Sequence, residues 1–310
     1  MTGRLAGEGA SVSVVVPTRD RLELVGRAVN AILQQRYEGH IGCIVVFDQS
    51  EPRRIPVNVP PNRSLRCVAN GRTPGLAGAR NTGALAATGE LLAFCDDDDE
   101  WLPGKLQQQV EVLAAHPYAI GAVCGIEIRY GGRSFDRVPG EHLIERGHLL
   151  AGRRMEINPC TILVPRTILL DRVGLVDEEI PGAYGEDYEW LLRASKAGAL
   201  VVVREPLVRI NWHQGSWFAT RWRTMIEAIR YMLRKHPELA ERPRNLARMH
   251  GRVAFAHAAL GERRMARRWA RQALASNRWE PRAYLALAVS ARLLSAPAVQ
   301  RLARRFGRGV

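Results

Sequence analysis

Apolar residues fall along this chain in short blocks separated by stretches of helical period. Residues 12–16 form a β-branched run that predicts a strand, with Pro17 expected to stop it. Across residues 21–35, Leu22, Val25, Val29, Ile32 and Leu33 recur every three or four positions and predict a helix with one apolar face. A second apolar strand is predicted over 41–47 and a third over 65–69, with a Pro-rich loop between them. Residues 75–89 are Ala-rich and helical in part, broken by glycines, and 91–95 read as a buried strand. Further on the pattern predicts a helix at 105–115, a strand at 119–130 and a short strand at 161–164. A helix at 167–173, one opening at Glu186-Asp187 and running to Lys196, and a strand at 200–203 complete this part. Residues 131–154 show no clear period. Uniformly apolar strands that alternate with helices imply a parallel sheet covered on both faces.

Polar residues gather where these strands end. Pro17-Thr18-Arg19 follows the first, Asp48 the second, and Asp96-Asp97-Asp98-Asp99 the strand at 91–95. Ligands of such sheets bind beyond the carboxyl ends of the strands. If the strand continues into the acids, Asp96 and Asp98 share a face. Two close carboxylates repel, and a hard divalent cation such as Mg²⁺ or Mn²⁺ removes the repulsion. A solvated acidic turn is the alternative. Glu186 and Asp187 open a helix, where the macrodipole favours acids whatever their chemistry. Arg80 fits either a phosphate contact or a structural ion pair. His213, with Gly215 and Ser216 nearby, fits either a further metal or phosphate contact or a plain loop histidine.

Charge divides the chain. Residues 218–310 hold 21 Lys and Arg against 5 Asp and Glu, whereas residues 1–217 hold 24 against 26. The formal net charge of +14 therefore belongs to the last third, which has helical character throughout. Three parts are expected: a disordered Gly-rich start at 1–10, an α/β domain at 11–217, and a basic α-helical region at 218–310. His257, Leu260, Ala266, Ala273 and Pro281 resemble one tetratricopeptide-like hairpin. Five scattered cysteines without a CxxC pair imply reduced thiols and a cytoplasmic protein. No secretory leader or uncharged spanning segment stands out.

In this order, Val14 to Arg21, Ile44 to Ser50, Gly78-Ala79-Arg80-Asn81, Phe94 to Trp101 with its DxD spacing, and Gly185 to Arg193 resemble the motifs of family-two glycosyltransferases with the GT-A fold. The likeness covers residues 11–217. It implies a metal-dependent, inverting transfer of a sugar from a nucleoside-diphosphate sugar, with UDP or another pyrimidine diphosphate on the donor. The acceptor is expected to be a saccharide, a lipid-linked sugar or a small molecule. Carried over, Pro17, Thr18 and Arg19 line the nucleotide pocket and Asp48 recognises the base. Asp96 and Asp97 belong to the donor site, Asp96 and Asp98 hold Mg²⁺ or Mn²⁺, and Asp187 is the general base. Arg80 would add a cation at the phosphates and His213 a metal contact. Phe47 stands where an acid pair is common, and four consecutive acids leave Asp99 a rival to Asp98.

Two other readings remain at this point. A nucleotidyltransferase acting on a sugar phosphate also uses strand-end acids and a metal; the Glu186-Asp187 helix start favours the glycosyltransferase. The arginines at 263, 264, 267, 268 and 271 suit nucleic acid or an anionic membrane surface. Of these the membrane, contacted peripherally from the cytoplasmic side, is the reading preferred and nucleic acid the one disfavoured. A solvated basic face is the plain alternative.

Overall fold

The structure is a computed structural model and describes residues 9–212 and 221–305. Ten strands, β1 (Val12–Thr18), β2 (Ile41–Phe47), β3 (Arg63–Ala69), β4 (Leu91–Phe94), β5 (Glu100–Trp101), β6 (Gly121–Tyr130), β7 (Arg133–Arg137), β8 (Leu143–Ile144), β9 (Leu163–Pro165) and β10 (Leu200–Asn211), form one sheet. Its main path runs β3-β2-β1-β4-β9-β6-β10-β5. β3, β2, β1 and β4 are parallel, as are β6 and β10, and β9 runs antiparallel between the two groups. Helices α1 (Leu22–Leu33), α2 (Leu76–Ala86), α3 (Lys105–Ala115), α4 (Arg146–Leu150) and α5 (Glu186–Ala197) accompany the sheet.

Alternation along β1 sorts the two faces. Val12, Val14 and Val16 join one apolar cluster with Val25, Val29 and Ile32 of α1 and with Leu106, Val110 and Leu113 of α3. Val15 points the other way, towards α2. A Cβ on Gly83 would lie 2.2 Å from Cγ1 of Val15, so α2 approaches the sheet this closely only because position 83 has no side chain. Each fully buried Val, Leu or Ile contributes roughly 1.5–3 kcal/mol, and both faces of the parallel half are covered in this way.

The first strand corrects one expectation. β1 passes through Pro17 to Thr18 and pairs with β2 to its end. Val15 accepts the Cys95 N–H, whereas Thr18 accepts the Asp48 N–H, so Pro17 turns its missing N–H to the side where β4 has already left the sheet. The expected disorder of the first ten residues fails for the last of them: Ala10 is buried and its carbonyl accepts the Tyr37 hydroxyl. Residues 1–8 lie outside the described residues. The stretch without period contains β7, β8 and α4, elements too short to print a pattern.

The chain divides into two compact units. The first holds the described residues up to 149, then 153–178 and 186–212; the second holds 150–152, 179–185 and the described residues from 221 onward. The second unit contains α6 (Trp222–Lys235), α7 (Pro243–Ala259), α8 (Arg263–Ser276), α9 (Pro281–Ser290) and α10 (Ala296–Arg305). Its core is a seam of small residues, with Ala254, Ala258, Ala266, Ala270, Ala273 and Ala283 buried together around Phe255. Among the described residues no helix is long and apolar enough to cross a membrane.

Candidate active site

The carboxyl edge of the parallel strands builds the site. Asp96 to Asp99 occupy a turn between β4 and β5, with the Asp99 N–H on the Asp96 carbonyl at 3.2 Å, so strand alternation does not orient them as the sequence reading assumed. The turn nevertheless alternates in access. Asp97 and Asp99 are buried, whereas the side chains of Asp96 and Asp98 keep 31% and 23% of their surface exposed.

Each acid has its own partners. Asp97 accepts the Thr18 hydroxyl at 2.6 Å and Nε of Arg21 at 2.9 Å, and pairs again with the other end of that guanidinium. Arg21 also reaches Asp98 at 3.0 Å. Asp99 accepts the Asn211 N–H at 3.2 Å and the Cys160 thiol at 3.4 Å, the buried outcome for the rival metal ligand. Arg80, only 2% exposed, holds Asp96 at 2.6 Å with one terminal nitrogen and Glu186 with the other. The structural ion pair weighed for Arg80 is therefore present, and of its three guanidinium nitrogens Nε has no partner among the described residues.

That guanidinium joins two distant stretches of sequence. Glu186 and Asp187 begin α5, and through Arg80 their helix start lies beside the acid turn. Asp187 is buried; one oxygen takes the Tyr188 N–H at 2.8 Å and the other pairs with Arg153 at 2.7 Å. Asp48 is also buried. It accepts the Asn70 amide at 2.8 Å, the Gly75 N–H at 2.9 Å and the Gln49 amide at 2.9 Å, and so fastens the 70–75 loop to the end of β2. Glu178 fastens the same loop from the far side, accepting from Arg72, Thr73 and Asn81. A Cβ at Gly78 would meet the Thr73 carbonyl at 1.9 Å, so only glycine allows α2 to carry the loop there. Pro17 and Thr18 are buried in the floor and Arg19 is exposed. His213 lies outside the described residues.

Sequence reasoning missed Arg21, Arg153, Glu178 and Cys160. Arg21 sits inside the quoted first motif and was read as a helix start. Arg153 lies in the stretch without period. The other two act through tertiary contacts that leave no local pattern.

Five carboxyl groups, Asp96, Asp97, Asp98, Glu186 and Asp187, share three guanidinium groups, Arg21, Arg80 and Arg153, and Asp99 adds a sixth carboxyl held by Asn211 and Cys160. Burial first, with only partial relief from Thr18 and Arg21, pushes the Asp97 carboxyl up to about 6. Burial also pushes Glu186 up to about 7, with Arg80 opposing and Asp187 adding to the rise. For Arg80 burial acts to lower the pKa, but Asp96 and Glu186 outweigh it and hold the guanidinium above its ordinary range. This surplus of carboxylate, with the two accessible acids Asp96 and Asp98 one residue apart, suits a hard divalent cation. A tighter trio also exists, in which ligand atoms of Asp96, Asp99 and Cys160 all lie within 4.8 Å of one another. The hydrogen bond with the Cys95 side chain, then burial and the acidic neighbours, hold the Cys160 thiol well above its usual range, so it is a poor ligand for Mg²⁺ or Mn²⁺.

Crowded carboxyls have a measurable signature. Asp97 and Glu186 titrate from ordinary values of 3.8 and 4.5 in the unfolded chain to about 6 and about 7 in the folded one. Across that window the folded chain holds more protons, so both groups make stability fall as pH rises from about 4 to about 7. Urea melts of the metal-free chain at intervals of pH are expected to show a shallower decline for Asp97→Asn, with the part due to Glu186 remaining. An identical slope in the two proteins would refute the assignment of that slope to Asp97.

A mixed sheet with a parallel half covered by helices on both faces, whose carboxyl edge collects an acid turn, a strand-end aspartate and a helix-opening acid pair, defines a transferase of GT-A architecture. The family model for glycosyl transferase family 2 matches residues 13–175, more than half of the chain, and the chain belongs to that family. It is 26% identical over 185 residues to the UDP-Glc:alpha-D-GlcNAc-diphosphoundecaprenol beta-1,3-glucosyltransferase WfgD of Escherichia coli, covering 58% of this chain and 68% of that one. Its fold is similar to that of S. aureus TarS 1-349 in complex with UDP-GlcNAc, with a TM-score of 0.58, 17% identity and coverage of 96% and 92%. It is also similar to the mannosyltransferase PcManGT of Pyrobaculum calidifontis in complex with GDP-Man and Mn2+, with a TM-score of 0.52, 19% identity and coverage of 96% and 79%.

Proposed function

We propose that this glycosyltransferase moves a sugar from a nucleoside-diphosphate sugar, with a pyrimidine base, to a hydroxyl of a lipid-linked acceptor, inverting the anomeric centre. The observation that carries the mechanism is the Arg80 bridge, which sets the Asp187 helix start beside the acid turn. WfgD, by its name, uses UDP-glucose and a diphosphoundecaprenol-linked GlcNAc, and the TarS structure contains UDP-GlcNAc.

The residues take the following roles. Pro17, Thr18, Arg19 and Asp48 bind the nucleotide, with Asp48 ordering Gln49 and the Asn70–Gly75 loop around the base. Asp97, fixed by Thr18 and Arg21, shapes the donor side of the turn. Asp96 and Asp98 would hold a divalent cation, Mg²⁺ or Mn²⁺, which as a Lewis acid neutralises the charge that develops on the departing diphosphate. Arg80 is a positioning residue that keeps Asp96 and Glu186 at a set separation. Asp187 accepts the proton of the acceptor hydroxyl as its oxygen attacks the anomeric carbon. The new C–O bond forms as the bond to the diphosphate breaks, and the bonding pair leaves with the phosphate oxygen. One displacement on the face opposite the leaving group inverts the configuration.

A thermal-shift panel of nucleoside diphosphates with and without Mn²⁺ tests the donor half. UDP with Mn²⁺ is expected to raise Tm more than either alone, by about 2.7 kcal/mol of stabilisation at a hundredfold excess over Kd. In Asp98→Ala the metal-dependent part should vanish. Equal stabilisation by every nucleotide, with metal irrelevant, would remove both the base preference and the Asp98 role.

A further inference from the structure

We infer that the second unit carries a docking face for an anionic membrane surface, built on α8. At about 100° per residue, Arg263, Arg264, Arg267, Arg268 and Arg271 all fall within a sector of roughly 140° on that helix, away from the buried Ala266, Ala270 and Ala273. All five are exposed, and none has an ion-pair partner among the described residues. No acid lies in α8. The nearest carboxylate before it, Glu262, is taken by His257 at 2.6 Å and Arg223 at 2.9 Å. The nearest after it, Glu280, is buried and paired with Arg282. The face is thus positively charged without internal neutralisation.

Apolar side chains decide which polyanion it fits. Met265 on the same helix is 37% exposed, and Trp279, just beyond its end, is 74% exposed with the Arg278 guanidinium 4.9 Å from its ring. Elsewhere in this unit Leu293 and Leu302 are also exposed, next in sequence to Arg292 and Arg301. A nucleic-acid backbone leaves such aliphatic groups in water. A bilayer takes them into the boundary between headgroups and acyl chains while the arginines meet anionic lipid. The inference deepens the lipid-linked acceptor reading, because such an acceptor offers its reacting sugar at that surface. It also stands apart from it, because vesicle binding needs no turnover.

Co-sedimentation of the full chain with phosphatidylcholine vesicles, with and without phosphatidylglycerol, tests it across salt. Binding is expected only with the anionic lipid and is expected to weaken as salt screens the charges. Each basic residue near such a surface strengthens partitioning about fivefold, so replacing Arg264, Arg268 and Arg271 by Ala is expected to weaken it on the order of 100-fold. These positions are exposed, so Tm should stay at the wild-type value. Trp279→Ala should weaken binding without changing its salt dependence. Asp187→Asn should sediment like the wild type, which separates this result from any failure of the catalytic reading. Equal binding to neutral vesicles, unchanged binding by the triple variant, or binding to an RNA duplex with none to anionic vesicles would each overturn it.

Discussion

Asp187→Asn is expected to lower kcat by about 10²–10⁴-fold while leaving Tm and donor affinity near their wild-type values. The substitution keeps the size of the side chain and an oxygen for the Tyr188 N–H. It releases one contact to Arg153, whose side chain is 36% exposed and can turn to water. Little stability is at stake, so a loss of turnover reports the missing proton acceptor. Glu186→Gln is the control. Glu186 is one of two carboxylates on the buried Arg80, so its replacement should be felt in stability. Initial rates and thermal melts on both variants check the pair. Full turnover by Asp187→Asn would end its assignment as base.

Arg80→Met carries the largest expected structural effect, a loss of about 3–5 kcal/mol from removing one partner of a buried ion cluster. For a domain of this size that lowers Tm on the order of 10 °C. Methionine preserves length and removes charge, leaving Asp96 and Glu186 without their shared cation. Glu186 already titrates near 7 because it is buried. Without Arg80 it moves higher still, so the folded variant binds a proton that the unfolded chain gives up above 4.5. The deficit relative to wild type should therefore grow as pH rises from about 6 to 8, where wild-type Glu186 gives up its proton and the variant's keeps it. Urea melts at the two ends of that range measure it. Coincident melts for the two proteins at both would mean that water serves as well as the guanidinium.

How much of this was legible differs from residue to residue. The consecutive Val14, Val15 and Val16 announce a strand buried on both faces because β-branched apolar runs have few other stable uses. Leu22 to Leu33 announces a helix because its apolar positions repeat at 3.6. Thr18, Asp48 and the acid turn could be placed at one edge because parallel strands all end on the same side. The orientation of the four acids could not. They leave the strand for a turn, and there Thr18, Arg21, Arg80, Asn211 and Cys160 set their directions from elsewhere in the chain.

By itself the sequence determined the order of the longer strands and helices of the first part, the edge where polar residues collect, the family motifs and the basicity of the last third. These follow from local periodicity, chain direction and composition. Only the tertiary structure decided that Arg80 ties Asp96 to Glu186, that Arg153 faces Asp187, and that Asp97 and Asp99 are buried while Asp96 and Asp98 stay accessible. Such pairings join residues up to about a hundred positions apart. Their energy comes from burying opposite charges together, a quantity that does not exist until the sheet has assembled.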